Sequence, residues 1–263
     1  MSGLLTKTLR DQRRALIGWG IGLAVTALMY AAFYPSVKES AADLNAYLEK
    51  LPEALRELLG GDYTSPAGYL RSELFSILGP VLFLVFTVGA GARAIAGEEE
   101  DGTLDLLLST PVRRRHVVLD KFVAMVVTAT ALAALVWVTV IAVGPPFDLT
   151  LPVLDVAAAC LMLLLVGAAF GSISLAVGSA TGHRALAYGV TGGFAVFSFV
   201  VNVLAPAVKA LRPLRPLSPF RWYLDPDPLV HGVHAANVVV LVAITIVGLV
   251  VALLTFERRD LAA

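Results

Sequence analysis

Six long apolar stretches dominate the pattern of hydrophobic and polar positions along the chain. Each is continuously apolar rather than alternating at every second residue. Their approximate ranges are 15–34, 74–92, 122–143, 153–177, 185–208 and 235–256. A hydrocarbon core about 30 Å thick takes roughly 20 helical residues to cross. The pattern therefore predicts six transmembrane α-helices rather than the strands of a β-barrel.

The distribution of Lys and Arg predicts the orientation of these helices. With the N-terminus in the cytoplasm, twelve of them lie on the inner side and eight on the outer side. Loops rich in Lys and Arg stay in the cytoplasm, so both termini are expected to be cytoplasmic. The first stretch is expected to be a retained helix rather than a cleaved signal peptide, because five more follow it.

Composition and charge argue against several classes of function. The 263 residues are 58% hydrophobic and 15% charged, and their formal net charge of zero gives no general attraction for nucleic acid. Arg93 and Asp155 lie near helix boundaries, and no ionisable side chain falls at the centre of a stretch. This argues against a proton- or sodium-driven carrier. The single cysteine, Cys160, excludes an intramolecular disulfide and a cysteine-based metal cluster.

Glycines four residues apart predict close helix packing, since this spacing lets two helices approach each other in lipid. Packing within the chain is the main interpretation, and a contact between two copies is the alternative. The pairs are Gly18 with Gly22, Gly167 with Gly171, and Gly189 with Gly193.

The loop between helices 2 and 3 combines four acids, a leucine-rich stretch and three arginines. Residues 97–116 read GEEEDGTLDLLLSTPVRRRH. Gly102 provides a flexible point, and Thr103 is predicted to cap a short helix from Leu104 to Leu108. The leucines of that helix need cover, either from the inner ends of the transmembrane helices or from a partner protein.

Two outer loops also carry patterns. Leucines at spacings of three and four over 44–59 predict an amphipathic helix, either on the membrane or packed as a lid. The proline-rich loop 209–234 is expected to be irregular, or a short re-entrant hairpin sheltered by protein. Its aromatic residues Phe220, Trp222 and Tyr223 are expected at the level of the lipid headgroups. His231 and His234 lack a third ligand nearby, so no metal site is predicted.

These segments resemble the ABC type-2 permeases of bacteria and archaea. Those proteins show an acidic stretch, Gly-Thr, a Leu pair, Thr-Pro, a basic residue and then a Lys that opens helix 3. Here the same order runs from Glu98 to Arg113 and Lys121, with a longer acidic stretch. The outer sequence SPFRWYLDPDPL (218–229) and the tail FERRDL (256–261) are also similar to the family's patterns around its last helix. Together with the six helices, the resemblance covers the whole chain.

The resemblance implies an all-α integral membrane fold, with one transmembrane domain over 1–263. It implies a six-helix bundle with an N-terminal interface helix at about 4–14, a cytoplasmic coupling helix at 103–111, and an extracellular re-entrant segment before helix 6. The implied contacts with an ATPase are Glu98, Gly102, Thr103, Leu104, Leu107, Thr110, Pro111 and Arg113. The implied outer gate or re-entrant segment contains Pro219, Trp222, Tyr223, Asp225 and Pro228.

The resemblance also implies the membrane-spanning subunit of an ATP-driven exporter in a prokaryotic plasma membrane. Its partners are two copies of a separate ABC ATPase, which bind ATP and magnesium, and a second permease chain, most simply forming a homodimer. The sequence contains no Gly-x4-Gly-Lys-Ser/Thr phosphate-binding loop, so no catalytic residue or cofactor is expected on this chain. The apolar interior favours a hydrophobic or amphipathic cargo, whose identity the sequence leaves open.

Two other interpretations remain open. The chain is alternatively a non-transporting membrane scaffold or sensor that recruits a cytoplasmic partner through the loop between helices 2 and 3. An enzyme acting on lipid is a third possibility, and it needs clustered His, Asp or Glu at one membrane face. The one such outer grouping is Asp225, Asp227, His231 and His234, which the neighbouring prolines explain better as a turn.

Overall fold

The computed structural model describes residues 3–48, 50, 65–104 and 113–259. These residues contain no β-strand, and six of their helices are long and apolar enough to cross a membrane. The helices are α1 (Gly3–Leu48), α2 (Pro66–Glu100), α3 (Arg114–Val143), α4 (Val153–Thr181), α5 (Arg184–Leu204), α6 (Pro219–Leu224), α7 (Pro228–His231) and α8 (Ala235–Arg258). The prediction of six membrane-spanning helices is confirmed, with α6 and α7 as short helices between the last two spans. We call the side of the α2–α3 connection, predicted to be cytoplasmic, the inner side.

The first helix is longer than its apolar stretch. Residues 4–14, predicted as an interface helix, are helical and continue into the span without a break. The helix also passes through Pro35 and ends at Leu48. The predicted amphipathic helix over 44–59 therefore begins as the end of α1, and its remaining part, apart from Lys50, lies outside the described residues.

The second helix begins at Pro66, eight residues before the predicted start. Ser65 caps it, with its hydroxyl oxygen accepting a hydrogen bond from the Gly68 N–H at 3.1 Å. The sequence around the start is polar, but Tyr69 is buried there and donates its hydroxyl proton to the Tyr30 carbonyl at 2.9 Å. Within α2, two stretches are π-helical, Arg71–Leu78 and Arg93–Gly97.

Helix α4 lies at the centre of the bundle and contacts α2, α3, α5 and α8. Its Gly167 and Gly171 allow this, because a Cβ at either position would collide with Phe83 of α2 or Met125 of α3. Packing within the chain is therefore confirmed for this glycine pair. The other two predicted pairs have open space around them, with nothing within 4 Å of an added Cβ.

The inner ends of the helices enclose a small apolar core, which we call the inner cluster. It joins residues of α2, α3, α4 and α8, and Leu4 of α1 packs against it. Its buried members are Ala94, Ile95, Leu104, Val117, Val118, Leu175, Ala176, Ala252 and Phe256. The outward faces of the spanning helices expose large apolar side chains such as Val196, Val239 and Val247, as expected for helices that face lipid.

Candidate functional site

Four consecutive acids end α2 and form what we call the acidic turn (residues 98–101). The carboxylate of Glu98 pairs with the ammonium group of Lys121 on α3, whose side chain is only 9% exposed. The same carboxylate accepts a hydrogen bond from the Thr103 hydroxyl, and the Thr103 N–H donates to the Glu98 carbonyl at 2.8 Å. Thr103 therefore closes the turn directly before Leu104, and the helix that it was predicted to cap lies, beyond Leu104, outside the described residues. Gly102 makes the turn possible with a φ of 68°.

The next acid in the turn, Glu99, pairs with Arg259, the residue that follows α8. The Arg259 guanidinium also donates to the Ser179 carbonyl of α4 at 3.4 Å. Gly182, which ends α4 with a φ of 71°, leaves the space that the side chains of Arg259 and Glu99 occupy. This contact ties the end of α2 to the ends of α4 and α8.

The last two acids bind Arg184, the first residue of α5. Glu100 accepts a hydrogen bond from the Arg184 backbone N–H at 2.9 Å, and its carboxylate also pairs with the guanidinium. Asp101 lies 3.5 Å from the same guanidinium. A carboxylate at a helix N-terminus satisfies a free backbone donor and interacts favourably with the helix dipole. The acidic turn thus also holds the start of α5.

Two arginines hold the start of α3 against the end of α8. Arg114 donates to the Arg259 carbonyl at 2.7 Å, and its guanidinium lies 5.7 Å from the centre of the Phe256 ring. Arg115 pairs with Glu257, with one nitrogen–oxygen distance of 3.0 Å. Cations favour helix C-termini, where unpaired carbonyls accumulate. Both ends of the α2–α3 connection are therefore anchored on α8.

The predicted ATPase-contact residues divide into four groups. Glu98, Gly102 and Thr103 form or follow the acidic turn, and Leu104 is 2% exposed within the inner cluster. For Leu104, the inner helix ends supply the cover that the sequence analysis left open. Arg113 is exposed where α3 begins. The remaining predicted contacts, Leu107, Thr110 and Pro111, lie outside the described residues.

On the outer side, α6 packs into the bundle between the spanning helices. Pro219 occupies its first turn, and the Ser218 hydroxyl caps it while donating to the Ser198 carbonyl of α5 at 2.8 Å. The Phe220 ring lies 5.5 Å from that of Phe170 on α4. These contacts bury Phe220 in protein, and its predicted position at headgroup level stays a prediction.

Tyr223, which was also predicted at headgroup level, is fully buried in protein. Its hydroxyl donates to the Phe75 carbonyl of α2 at 2.7 Å, and burial raises the pKa of this hydroxyl well above its ordinary value, so it stays protonated. Of the three aromatic residues, Trp222 keeps a partly exposed ring. Its indole N–H donates to the Pro216 carbonyl at 2.8 Å.

The turn between α6 and α7 is tied to α2 and α8. The Asp225 carbonyl accepts a hydrogen bond from the Asn237 side chain at 2.9 Å, and the Asp225–Pro226 peptide bond is cis. Asp227 caps α7, where Pro228 is the first residue, and its carboxylate lies 3.4 Å from the Arg71 guanidinium. Within the described residues, no group of three or more His, Cys, Asp or Glu side chains is placed to hold a metal ion.

Below α6, an apolar groove of about 350 Å³ runs between α2 and α5. Its walls are mainly branched and aromatic side chains, and Phe220 joins the lining from α6. The lining residues are Ser76, Ile77, Pro80, Val81, Leu84, Val85, Val88, Tyr188, Gly192, Ala195, Val196, Phe199 and Phe220. Such a surface suits an apolar chain or ring, and it offers few groups to a hydrophilic solute.

The ionic partners in the inner site were missed by the sequence analysis, which counted Arg184 and Arg259 only as charges on the inner side. The sequence did contain a signal for these ion pairs: several arginines and a lysine stand at the inner ends of helices, close to four consecutive acids.

A family model described as "ABC-2 family transporter protein" matches residues 3–261. No curated protein matches the sequence.

Proposed function

Because the chain belongs to the ABC-2 family of transporter proteins, it is a multi-pass membrane permease, and we propose that it belongs to an ATP-driven exporter. Permeases of this family work with a separate ATP-binding subunit and carry no ATPase site of their own. In our proposal two copies of this chain pair with two ATPase subunits on the inner side. The assembly lies in a prokaryotic plasma membrane and moves a hydrophobic or amphipathic substrate outward.

The observation that carries this proposal is the anchoring of the α2–α3 connection. The acidic turn holds α3, α5 and the residue after α8 through separate ion pairs. Arg114 fixes the other end of the connection to the same terminus of α8. A push on this connection would therefore reach four spanning helices together, as a coupling element requires.

The contact with the ATPase falls, in this proposal, on the part of the connection beyond Leu104. The Leu104 side chain is already covered by the inner cluster, so it supports the coupling helix from within the chain. Leu107 is left to supply the apolar contact with the partner. Arg113 is exposed at the far end and supplies charge complementarity, which guides docking more than it adds affinity.

The groove between α2 and α5 is the proposed path, with α6 as its outer gate. Phe220 belongs to both, because it lines the groove and packs on the aromatic rings beside α6. Gly18 and Gly22 are exposed on α1 with open space around them, which suits close approach of a second permease chain. Two such chains would face their grooves towards a shared path.

The test is a pair of substitutions that separates docking from folding. The wild-type chain, expressed with its ATPase, is expected to co-purify with it and to raise its hydrolysis rate after reconstitution. Leu107→Asp should abolish co-purification while the permease inserts and keeps its thermal stability. Leu104→Asp should instead lower the stability of the permease itself, because it places a carboxylate in the inner cluster.

Leu107→Met serves as the matched control and should retain the ATPase, because it keeps an apolar side chain of similar volume. A Leu107→Asp chain that still binds its ATPase and supports transport would show that coupling runs through another part of the chain. A wild-type chain that recruits the ATPase without changing its hydrolysis would favour the scaffold interpretation.

A further inference from the structure

The connection between α5 and α6 is a 3₁₀ helix, Lys209–Leu217, with two differently composed sides. A 3₁₀ helix has three residues per turn, so side chains three positions apart lie directly above one another. Its prolines, Pro213 and Pro216, fit the backbone angles of this helix type. One row, which we call the basic ridge, is Lys209, Arg212 and Arg215. The next row, the leucine ridge, is Leu211, Leu214 and Leu217.

Two of the three leucines in the leucine ridge are exposed, and Leu211 is half-buried. No residue of this 3₁₀ helix is buried, and Leu214 and Leu217 are 37% and 71% exposed. Large aliphatic side chains aligned on one open face need an apolar environment, which lipid acyl chains supply.

The helix lies at the depth of the outer membrane interface. It follows α5, which starts at the acidic turn and runs for 21 residues, or about 30 Å, the thickness of a hydrocarbon core. Trp222 is hydrogen-bonded to the Pro216 carbonyl of the 3₁₀ helix, and the Arg221 guanidinium lies 5.2 Å from its ring centre. Tryptophan concentrates at the boundary between acyl chains and headgroups.

The basic ridge carries more positive charge than its surroundings neutralise. Arg215 lies 3.4 Å from the Asp225 carboxylate, and Asp227, the other acid in 209–234, pairs with Arg71 instead. Arg212 donates to the Pro206 carbonyl, which carries no net charge. Neither Lys209 nor Arg212 forms an ion pair with any residue that the structure describes.

We propose that this 3₁₀ helix binds anionic phospholipids, with the leucine ridge among the acyl chains and the basic ridge on the headgroup phosphates. The two ridges together select a lipid over a soluble phosphate, because a soluble anion leaves the leucines in water. Each Lys or Arg near an anionic membrane surface strengthens binding roughly fivefold. The inference is independent of coupling to an ATPase, since it rests on residues at the opposite end of α5.

The test uses Trp222 as a local reporter. Trp19→Phe and Trp137→Phe leave Trp222 as the one tryptophan of the chain. This parent is reconstituted into vesicles containing brominated phosphatidylglycerol or, at equal mole fraction, brominated phosphatidylcholine. Because bromine quenches tryptophan only at short range, we expect several-fold stronger quenching by the anionic lipid. Lys209→Gln with Arg212→Gln should bring the two lipids to equal quenching.

Matched variants separate charge from shape. Lys209→Arg with Arg212→Lys keeps both charges and should keep the preference for the anionic lipid. Lys38→Gln removes an exposed charge elsewhere and should leave the preference intact. Leu214→Ser with Leu217→Ser should reduce quenching by both lipids to a similar extent.

Three outcomes would overturn the proposal. They are equal quenching of the parent by both lipids, a preference that survives loss of both charges, and a preference that inorganic phosphate in the buffer abolishes while sodium chloride of matched ionic strength does not. The last result would assign the basic ridge to a soluble anion. Moderate weakening by salt alone is expected of any headgroup contact.

Discussion

Helices α2 and α4 touch backbone to backbone at Gly91. A Cβ at this position would lie closer than 3.0 Å to the Gly171 carbonyl oxygen, at 3.0 Å from the Leu175 nitrogen and at 3.1 Å from the Ser174 Cβ. Ordinary contacts of a Cβ begin at about 3.4 Å, and backbone atoms cannot rotate away as a side chain does. Gly91→Ala must therefore push the two helices apart.

The expected cost follows from two opposing effects. Alanine favours a helix over glycine by about 0.5–1 kcal/mol, whereas overpacking a tight contact costs about 1–3 kcal/mol. Gly193→Ala on α5 gains the same helix preference without the overpacking cost, because nothing lies within 4 Å of its added Cβ. The free energy of unfolding should therefore be about 1–3 kcal/mol lower for Gly91→Ala than for Gly193→Ala.

The chain offers a specific reporter for this measurement. Cys160 is its one cysteine, lies on α4 and is 4% exposed, so a thiol-reactive fluorophore should label it only after the bundle opens. Labelling in detergent against temperature or added sodium dodecyl sulfate gives the unfolding transition of each variant. Gly193→Ala should unfold with or slightly after the wild type, and Gly91→Ala well before it.

Equal transitions for the two variants would refute the reasoning, since the contact between α2 and α4 would then accommodate a methyl group without strain. A Gly91→Ala protein more stable than Gly193→Ala would refute it more strongly. Either result would mean that the two backbones are farther apart than the structure places them.

Two further predictions concern the outer side and use the same thiol assay. Tyr223→Phe should lower the free energy of unfolding by about 1 kcal/mol, because the Phe75 carbonyl loses its donor in a buried place; an unchanged transition would show that this carbonyl finds another partner. Arg71→Gln should cost about 1 kcal/mol or more, because it leaves the Asp227 carboxylate, which is 8% exposed, without its cation. Lys38→Gln breaks a pair exposed on both sides and should change stability by less than about 0.5 kcal/mol, so equal effects of the two substitutions would contradict the burial argument.

The spans could be predicted from the sequence because lipid imposes one requirement on every residue of a spanning helix. The apolar stretch 153–177 accordingly became α4 with the same first residue. Helix ends outside lipid obey no such requirement. Tyr69 and its neighbours look like a polar loop, yet they are helical, and the Tyr69 hydroxyl holds them against the Tyr30 carbonyl of α1.

The candidate site was predictable in composition but not in pairing. The four acids were recognisable from sequence, whereas the partner of each depends on which helix end lies beside it. Glu99 and Arg259 are 160 positions apart, and only the packing around α4 brings them together.

Glycine spacing likewise does not identify the partner that a glycine pair will contact. Gly167 and Gly171 meet other helices within the chain, and Gly189 and Gly193 meet none of its described residues, because spacing alone does not say which side a neighbour occupies.

The π-helical stretches near the two ends of α2 have a consequence for how this helix can move. Each contains a wider turn, and tightening such a turn to regular α-helical pairing shifts the register by one residue, or about 100° of rotation about the helix axis. The regular middle of α2, Gly79–Ala92, packs tightly against α4. The rotation would therefore move the two ends of α2 rather than its middle. Such a rotation at Arg93–Gly97, immediately before the carboxylates, would let them change partners while every span stays folded across the bilayer.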